Sequence, residues 1–225
     1  MEVPCPDPLM APAGTQLIET MRVEADGALP LLDGHLRRLG HSSQALGFAM
    51  PGETLRDAVL ARARPLATGH AHRLRLLWSQ QGEHQIETAP LPGLAAGQKL
   101  ASALAPLPSN QPLLQHKTTH RPWYHAAATW LAAHPDYFDV LYFNERDELC
   151  EGTRSNIYVL HDGIWLTPPI ACGLLPGVQR TALLAADKAR AAVLTRKDLA
   201  QAKGLRLSNA LRGWFDVTLG EVFKA

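Results

Sequence analysis

The chain has 225 residues, of which 46% are hydrophobic and 19% charged, and its formal net charge at pH 7 is +1. These values are ordinary for a globular protein of one large domain or two small ones. The near-zero charge gives no electrostatic reason to expect nucleic acid or an anionic surface as a partner. No apolar run approaches the length of a membrane span, so a membrane is not expected as a partner either.

Elements of the first half of the chain alternate between strand and helix patterns. They are a strand at 15–24, a turn at 25–27, a short strand at 28–34 that completes a hairpin, amphipathic helices at 34–48 and 51–67, and a strand at 72–80. A segment rich in Pro, Gly, Ala and Ser follows at 89–112, with a short strand at 98–104. This segment predicts a domain boundary, with a small domain at 1–105, a linker at 106–112 and a large domain at 113–225.

Beyond the linker the predicted elements are one helix, a group of strands, a second helix and closing strands. The first helix begins at RPWY, the second opens at Pro176-Gly177, and the last strands lie in GLRLSNALRGWFDVTLGE. Strands and helices mix without a regular βαβ rhythm, which predicts an α+β protein of two subdomains with a cleft between them. Such clefts commonly bind small molecules.

The three cysteines, Cys5, Cys150 and Cys172, are odd in number and form no CxxC pair. We therefore expect neither a disulfide framework nor a structural zinc site, and a reducing cytoplasm is the expected location. The N-terminal stretch MEVPCPDPLMAPAG is interrupted by prolines and has no basic or apolar region of the kind that a signal peptide needs.

The stretch LLQHKTTHRPWY places Lys117 between His116 and His120. A metal site on a helix, a cationic surface patch and a reactive amine are the three interpretations. A zinc site of the HExxH type would have a glutamate where Lys117 stands, and a lysine beside a ligand opposes metal binding, so no metal is expected. The surface patch and the reactive amine both remain open on these residues alone.

Three other motifs each allow a functional and a structural interpretation. GLLPGVQR predicts either a phosphate site at a helix N-terminus or an ordinary junction between a loop and a helix. In HLRRL, Arg37 and Arg38 are phosphate ligands or members of a solvated helix face. In CEGTRSNIYVL, Glu151 is a buried carboxylate that needs a partner or a turn residue.

A resemblance to a known family is carried by four segments in the family's order: LIETMRV with LLDGHLRRLGHSSQALG, then HKTTHR, then DELCEGTRSNIYVLHDGIWLTPPIACGLLPGVQR, then LRLSNALRGWFDV. Together they resemble the class IV (fold type IV) pyridoxal-phosphate enzymes. That family includes branched-chain and D-amino-acid aminotransferases and 4-amino-4-deoxychorismate lyases. The resemblance implies pyridoxal 5'-phosphate as cofactor. It also implies a fold like that of D-amino-acid aminotransferase, with a small α/β N-terminal domain and a larger cofactor-binding domain whose barrel-like sheet is mostly antiparallel.

The resemblance also implies roles for individual residues. Lys117 corresponds to the family's Schiff-base lysine and proton shuttle, Arg38 to its phosphate-binding arginine, and Glu151 to the carboxylate that faces the pyridine nitrogen. The whole implied cofactor set is Arg38, Lys117, Glu151, Asn156, Val178, Gln179, Ser208 and Asn209, with Ser208 and Asn209 as alternative phosphate contacts.

Thr20 and Arg22 correspond to a wall of the substrate pocket. Arg121 is expected either to bind a substrate carboxylate or to cap the following helix. His116 is expected to lie beside Lys117 and influence its environment. The segment before the LIETMRV strand is shorter than the family's usual opening, which predicts a trimmed small domain and a more open pocket.

The implied reaction is a lyase reaction of the folate pathway, converting 4-amino-4-deoxychorismate to 4-aminobenzoate and pyruvate. The first alternative is a class IV aminotransferase acting on branched-chain or D-amino acids with a 2-oxo acid. The second is a non-catalytic relic that only binds the cofactor. The expected partners are a small-molecule amino substrate and a second copy of the chain in a homodimer.

Overall fold

The computed structural model describes residues 10–224, so Cys5 and most of the N-terminal stretch considered above lie outside the described residues. The chain forms two compact units. The first comprises the residues up to Leu91 together with His116–His120, and the second comprises Pro92–Gln115 and the chain from Arg121 onward. Among the described residues, none of the helices is long and apolar enough to cross a membrane.

The first unit contains a three-stranded antiparallel sheet and two helices. In chain order these are β1 (Leu17–Val23), α1 (Leu32–Leu46), α2 (Glu53–Ala63), β2 (His72–Trp78) and β3 (His84–Pro90). β1 alternates strictly between buried and half-buried residues, which directs one face toward the core. α1 ends at Gly47, whose φ of 68° lies in the left-handed region that favours glycine.

The predicted hairpin at 15–34 is wrong. A tight turn does follow β1, with Glu24 N–H donating to the Ala28 carbonyl, but the chain then enters α1 at Leu32. β1 pairs instead with β2, from Leu17 opposite Trp78 to Val23 opposite His72. The apolar run ALPLLDG is too short for its period to distinguish a strand from a helix start.

The second unit contains an eight-stranded sheet and three helices. Its elements are β4 (Lys99–Ala103), α3 (His125–Ala133), β5 (Tyr137–Phe143), β6 (Leu149–Gly152), β7 (Asn156–His161), β8 (Ile164–Thr167), α4 (Val178–Ala185), β9 (Arg190–Ala191), α5 (Arg196–Ala200), β10 (Leu205–Asn209) and β11 (Gly213–Phe223). The strand order is β6-β5-β4-β11-β10-β7-β8-β9.

This sheet must curl. β6 is the first strand in that order and β7 the sixth, yet only residues 153–155 separate them along the chain. In a flat sheet, five spacings of about 4.8 Å would hold them about 24 Å apart. The connection reaches only about 14 Å, at about 3.6 Å per residue step. The sheet therefore bends until β6 lies near β7, and the predicted barrel-like character is confirmed.

The expectation of a mostly antiparallel sheet is wrong, because the sheet is mixed. Four neighbouring pairs are antiparallel and three are parallel. The parallel pairs are β4 with β5, β4 with β11, and β8 with β9. Long connections that carry α3 and α4 join two of these pairs, and such crossovers return the chain in the same direction.

The limits of the two units differ from the predicted domain boundaries in two places. The sequence predicts β4 in the first domain, but β4 pairs with β5 and β11 and belongs to the second unit. It predicts residues 116–120 in the second domain, but Thr118 pairs with Leu17 of β1 and the segment belongs to the first unit. Both differences arise from strand pairing between segments far apart in sequence.

Candidate active site

Arg38 lies on α1 and is held by a buried carboxylate of β1. Its Nε and Nη2 donate to the two oxygens of Glu19 at 2.9 and 2.6 Å. His35, one turn earlier on α1, approaches the same carboxylate with Nδ1 at 2.5 Å. Glu19 and His35 are each 1% exposed. The guanidinium of Arg38 is therefore fixed in one orientation, whereas Arg37 is exposed.

Glu19 is ionised at neutral pH and through the mildly acidic range. Burial by itself raises the pKa of this carboxyl, but the charges and hydrogen bonds of Arg38 and His35 outweigh burial and lower the pKa from 4.5 to about 2. The carboxylate offsets the charge of Arg38 and orients the guanidinium through two parallel hydrogen bonds.

Lys117 lies on an extended segment beside β1. Its carbonyl accepts a hydrogen bond of 2.7 Å from Ile18 N–H. His116 and Thr118 are buried, and Lys117 between them is half-buried. Because side chains alternate along an extended chain, Lys117 points to the opposite side from these two neighbours. β1 thus supports both Arg38, through Glu19, and Lys117, through its backbone.

His116 is held by residues of α1. Its Nδ1 lies 3.0 Å from Ser42 Oγ, and its ring stacks on His41 with centroids 6.0 Å apart. Burial, and then the nearby His41, lower the pKa of His116, so the ring is neutral at pH 7. Throughout residues 10–224, no three His, Cys, Asp or Glu side chains converge in a way that could hold a metal ion.

Thr20 and Arg22 lie on the half-buried face of β1, opposite to the face that carries Glu19. Arg22 Nε is 2.9 Å from Glu24 Oε1, and both side chains are more than one-third exposed. A pair this exposed contributes little to stability. Thr20 and Arg22 therefore lie on one face of one strand, and their part in substrate binding stays a prediction.

Glu151 is buried in the second unit at the centre of a group of hydrogen-bond donors. It lies on β6 and is 4% exposed. Tyr124 Oη donates to Oε1 at 2.8 Å, and Asn156 Nδ2 donates to Oε2 at 3.4 Å. These donors favour the charged form of a buried carboxyl, and Glu151 lies on a strand rather than in a turn.

Asp139 fixes the turn that leads from Glu151 to Asn156. This fully buried carboxylate on β5 accepts hydrogen bonds from the backbone and hydroxyl of Thr153, at 2.8 and 2.6 Å, and from the hydroxyl of Ser155. Thr153 and Ser155 therefore belong to the turn that joins β6 to β7. Glu151 and Asn156 are set at fixed positions on either side of this turn.

Asn156 joins the Glu151 carboxylate to the loop before α4. Its Nδ2 also donates to the Leu175 carbonyl at 3.0 Å. A Cβ added to Gly177 would lie 2.0 Å from Asn156 Oδ1, closer than any real contact. Only glycine fits where the loop passes Asn156, which explains the second glycine of GLLPGVQR.

Replacing Gly177 with alanine should displace Asn156 and disorder its bond to Glu151. We expect a loss of about 1–3 kcal/mol in the free energy of unfolding, as is usual for overpacking in a rigid site. Urea unfolding monitored by circular dichroism measures this. Gly93→Ala is the matched control, since no atom lies within 4 Å of its added Cβ. An equal effect of both substitutions would contradict this account.

The N-terminus of α4 presents backbone donors beside this loop. Val178 and Gln179 are its first two residues, and the preceding Gly177 provides no side-chain cap. Backbone N–H groups at this position have no carbonyl partner within the helix. Arg180 follows and is 4% exposed; its Nη2 donates to the Pro168 carbonyl at 2.7 Å. Within the described residues, Arg180 Nε has no partner.

Ser208 and Asn209 end β10 with different environments. Ser208 is 1% exposed, lies opposite Asn156 in the sheet, and its Oγ is 2.8 Å from Tyr158 Oη. Asn209 Oδ1 accepts from the backbone N–H groups of Leu211 and Arg212, at 3.1 and 2.9 Å, and closes the turn to β11. The amide of Asn209 thus serves the turn, and the hydroxyl of Ser208 lies in the interior.

Arg121 precedes the short turn of 3-10 helix that leads into α3, and its guanidinium has protein partners of its own. It lies over the ring of Tyr124, 4.7 Å from the centroid, and donates to the Thr153 carbonyl. Arg121, Tyr124 and Thr153 line a surface pocket of about 450 Å³. A substrate-binding role for Arg121 stays a prediction.

The sequence motifs give no role to four residues that support the candidate site in the structure: Glu19, Tyr124, Asp139 and Arg180. Glu19 left a usable signal, because an acidic residue stands among the apolar residues of the alternating strand LIETMRV. No local sequence pattern indicates Tyr124 or Asp139, because their hydrogen-bond partners are 27 and 14 residues away in the chain. Arg180 is the last residue of the motif GLLPGVQR, and the sequence alone indicates no separate role for it.

Comparison with known proteins identifies the family. Residues 16–219 match the sequence model of the class IV amino-transferases. The chain belongs to the class IV aminotransferase family. Family membership and the fold of type IV enzymes, both predicted from the sequence, are confirmed.

Two similar proteins carry different names. A Schizosaccharomyces pombe protein provisionally named aminodeoxychorismate lyase is 31% identical over 163 residues, which is 71% of this chain and 69% of that protein. A Mesorhizobium loti structure provisionally named an amino-acid aminotransferase is 37% identical, with a TM-score of 0.83 over 92% of this chain and all of that one.

A third similar structure shows the fold alone. It is a Legionella pneumophila protein provisionally named 4-amino-4-deoxychorismate lyase, 22% identical, with a TM-score of 0.78 over 93% of this chain and 85% of that one.

Dependence on pyridoxal phosphate is a property of this family. Residues of the second unit fit the cofactor's chemistry. Glu151 can face a protonated ring nitrogen, and the α4 N-terminus can bind a phosphate. The buried guanidinium of Arg180, with Nε unpartnered among the described residues, also favours an anion nearby. In the first unit, Arg38 is a preorganised guanidinium suited to a phosphate.

Proposed function

We propose that this class IV enzyme is a lyase that converts 4-amino-4-deoxychorismate to 4-aminobenzoate and pyruvate. The observation that carries the proposal is the similarity to the S. pombe protein named for this activity, over 71% of the chain. The motifs HKTTHR, EGTRSNIY and SNALRGW, which resemble the lyases more than the branched-chain enzymes, support it. Where the lyases often have Asn and then Arg or Tyr after the lysine, this chain has His120 and Arg121, so the second position agrees and the first differs.

We infer the following roles within that reaction. Lys117 anchors the cofactor covalently, takes the proton from the ring carbon that bears the amino group, and returns a proton to the departing enolpyruvyl group. When bound, pyridoxal phosphate supplies an electron sink for the electron pair left on that carbon. Loss of the proton and of the enolpyruvyl group leaves an aromatic ring, which favours elimination.

The remaining proposed residues bind and orient. Arg38, the backbone N–H groups of Val178 and Gln179, and the Ser208 hydroxyl hold the phosphate. Glu151, supported by Asn156, keeps a proton on the ring nitrogen. Thr20, Arg22 and Arg121 bind the substrate, with Arg121 nearest to a carboxylate. We also propose that the protein is cytoplasmic and forms a homodimer. Sedimentation of the purified protein tests the dimer.

A second candidate is an aminotransferase of branched-chain or D-amino acids, favoured by the 37% identity to the M. loti protein named an amino-acid aminotransferase. One pair of assays separates the two. The loaded enzyme is given 4-amino-4-deoxychorismate and 4-aminobenzoate is measured, and then it is given branched-chain or D-amino acids with 2-oxoglutarate and glutamate is measured. Release of 4-aminobenzoate without transamination supports the lyase, and the reverse result replaces it with the aminotransferase.

Ser208 and Asn209 give a sharper prediction about the phosphate. Ser208→Ala should weaken cofactor binding about tenfold, because it removes one hydrogen bond to a charged group; it should also lower the melting temperature, because the buried Tyr158 hydroxyl loses its bond to Ser208. Asn209→Ala should lower the melting temperature and leave cofactor affinity nearly unchanged, since its amide closes a turn. Fluorescence titration with pyridoxal phosphate and thermal melts measure both; the opposite pattern of affinities would assign the contact to Asn209.

A further inference from the structure

Tyr124 is buried against the carboxylate that the proposed function places at the cofactor's ring nitrogen. It ends the turn of 3-10 helix at Pro122–Tyr124 and is 4% exposed. Its hydroxyl donates to Glu151 Oε1 at 2.8 Å. The other carboxylate oxygen accepts from Asn156 at 3.4 Å. The shorter and stronger of these two bonds is therefore the one from Tyr124.

The ring of Tyr124 is held in place by its neighbours, which keeps the phenolic oxygen beside Glu151. Its ring meets Tyr142 edge-on, with centroids 5.3 Å apart, and the guanidinium of Arg121 covers one face at 4.7 Å. Ala127 and Cys150 belong to the same buried cluster. Packing of the ring on these neighbours fixes the position of the phenolic oxygen, which lies within hydrogen-bond distance of Glu151 Oε1.

Tyr124 also keeps its proton. Burial, followed by the charge of Glu151 and its hydrogen bond, raises the pKa of this phenol well above 10, and the lowering effect of Arg121 is smaller. The hydroxyl is thus a permanent donor, and a donor that faces a carboxylate stabilises the ionised form. Sequence comparison with the family drew attention to Lys117, Arg38 and Glu151 but not to this residue.

We propose that Tyr124 is a positioning residue that acts through Glu151. Its hydroxyl holds the carboxylate in one orientation and stabilises it as an anion, ready to pair with the protonated ring nitrogen of the cofactor. The inference rests on the proposed function, because it assigns that partner to Glu151. It predicts that removing one phenolic oxygen changes the electronic state of the bound cofactor without changing the cofactor's contacts.

The test compares Tyr124→Phe with Tyr142→Phe. Both substitutions remove one hydroxyl from the same aromatic cluster, but only Tyr124 bonds to Glu151. The readouts are the dissociation constant of pyridoxal phosphate and the pH titration of the visible band of the bound cofactor. We expect Tyr124→Phe to weaken binding about tenfold and to shift the titration midpoint, and Tyr142→Phe to change neither.

A double-mutant cycle with Glu151→Gln shows whether the effect passes through the carboxylate. In the Glu151→Gln background, Tyr124→Phe should no longer shift the titration midpoint. If Tyr124→Phe does not fold, 3-fluorotyrosine at position 124 retains the hydroxyl and makes it a stronger donor. The fluorinated protein should shift the midpoint measurably away from that of the unmodified enzyme.

Two failures are distinguishable. A wild-type chain that takes up pyridoxal phosphate without a visible band overturns the proposed function. A wild-type chain with the band, whose midpoint is the same in the variant or in the fluorinated protein, overturns only the role of Tyr124. The role of Tyr124 is also overturned if Tyr124→Phe shifts the midpoint by the same amount in the wild-type and in the Glu151→Gln background.

Discussion

Alanine in place of Lys117 is expected to lower turnover by about 10³-fold or more while the chain still folds. A positioned general base contributes about 10²–10⁴ to a rate, and the variant loses the covalent anchor as well. The fold should persist because the substitution leaves in place the backbone hydrogen bond from Ile18 N–H to the Lys117 carbonyl. His116 and Thr118, the buried residues of the segment, remain in place.

Reduction with borohydride provides the measurement. In the wild-type protein, borohydride should fix the cofactor to one peptide, and mass spectrometry should locate it on Lys117. Lys203→Ala removes an exposed lysine of the second unit and is the control; it should keep both the adduct and the activity. An adduct on any other lysine of the wild type, or full activity without Lys117, would contradict the assignment.

The candidate site residues that could be predicted from the sequence stand in continuous motifs. Glu151, Asn156 and the glycine before α4 belong to one run of 27 residues from Glu151 to Gly177, and the structure explains their spacing: Asn156 contacts both Glu151 and the loop at Leu175. The strand β1 and the helix α1 could also be predicted from the sequence, because their apolar residues recur at a regular spacing over a sufficient length.

What the sequence could not reveal depends on contacts between distant segments. The phenol of Tyr124 reaches Glu151 across 27 positions, and Asp139 reaches Thr153 across 14. β4 precedes the predicted linker but pairs in parallel with β5 and β11, which follow it. Residues 116–120 follow the linker but pair with β1, which precedes it. Local patterns contain no information about such partners.

The first unit should lose stability steeply in acid because of Glu19. Its pKa is about 2 in the folded chain and 4.5 as the ordinary value. Because the folded value is the lower one, ionised Glu19 stabilises the folded state at pH values above 4.5. That stabilisation, about 3 kcal/mol, is lost as the pH falls toward 2. Burial alone would raise this pKa, so the stabilisation comes from the charges and hydrogen bonds of Arg38 and His35.

Glu19→Gln removes the charge but keeps the shape, so it isolates this contribution. Urea unfolding at a series of pH values should show the variant less stable by about 3 kcal/mol at pH 7, with the difference shrinking between pH 4.5 and 2. Glu87→Gln is the control, because that side chain is 39% exposed and its oxygen lies 4.0 Å from Arg75. The control should lose less than about 1 kcal/mol. If Glu19→Gln is instead less stable by the same amount at pH 7 and at pH 2, the loss comes from packing or hydrogen bonding. In that case the carboxylate charge does not hold Arg38 in place.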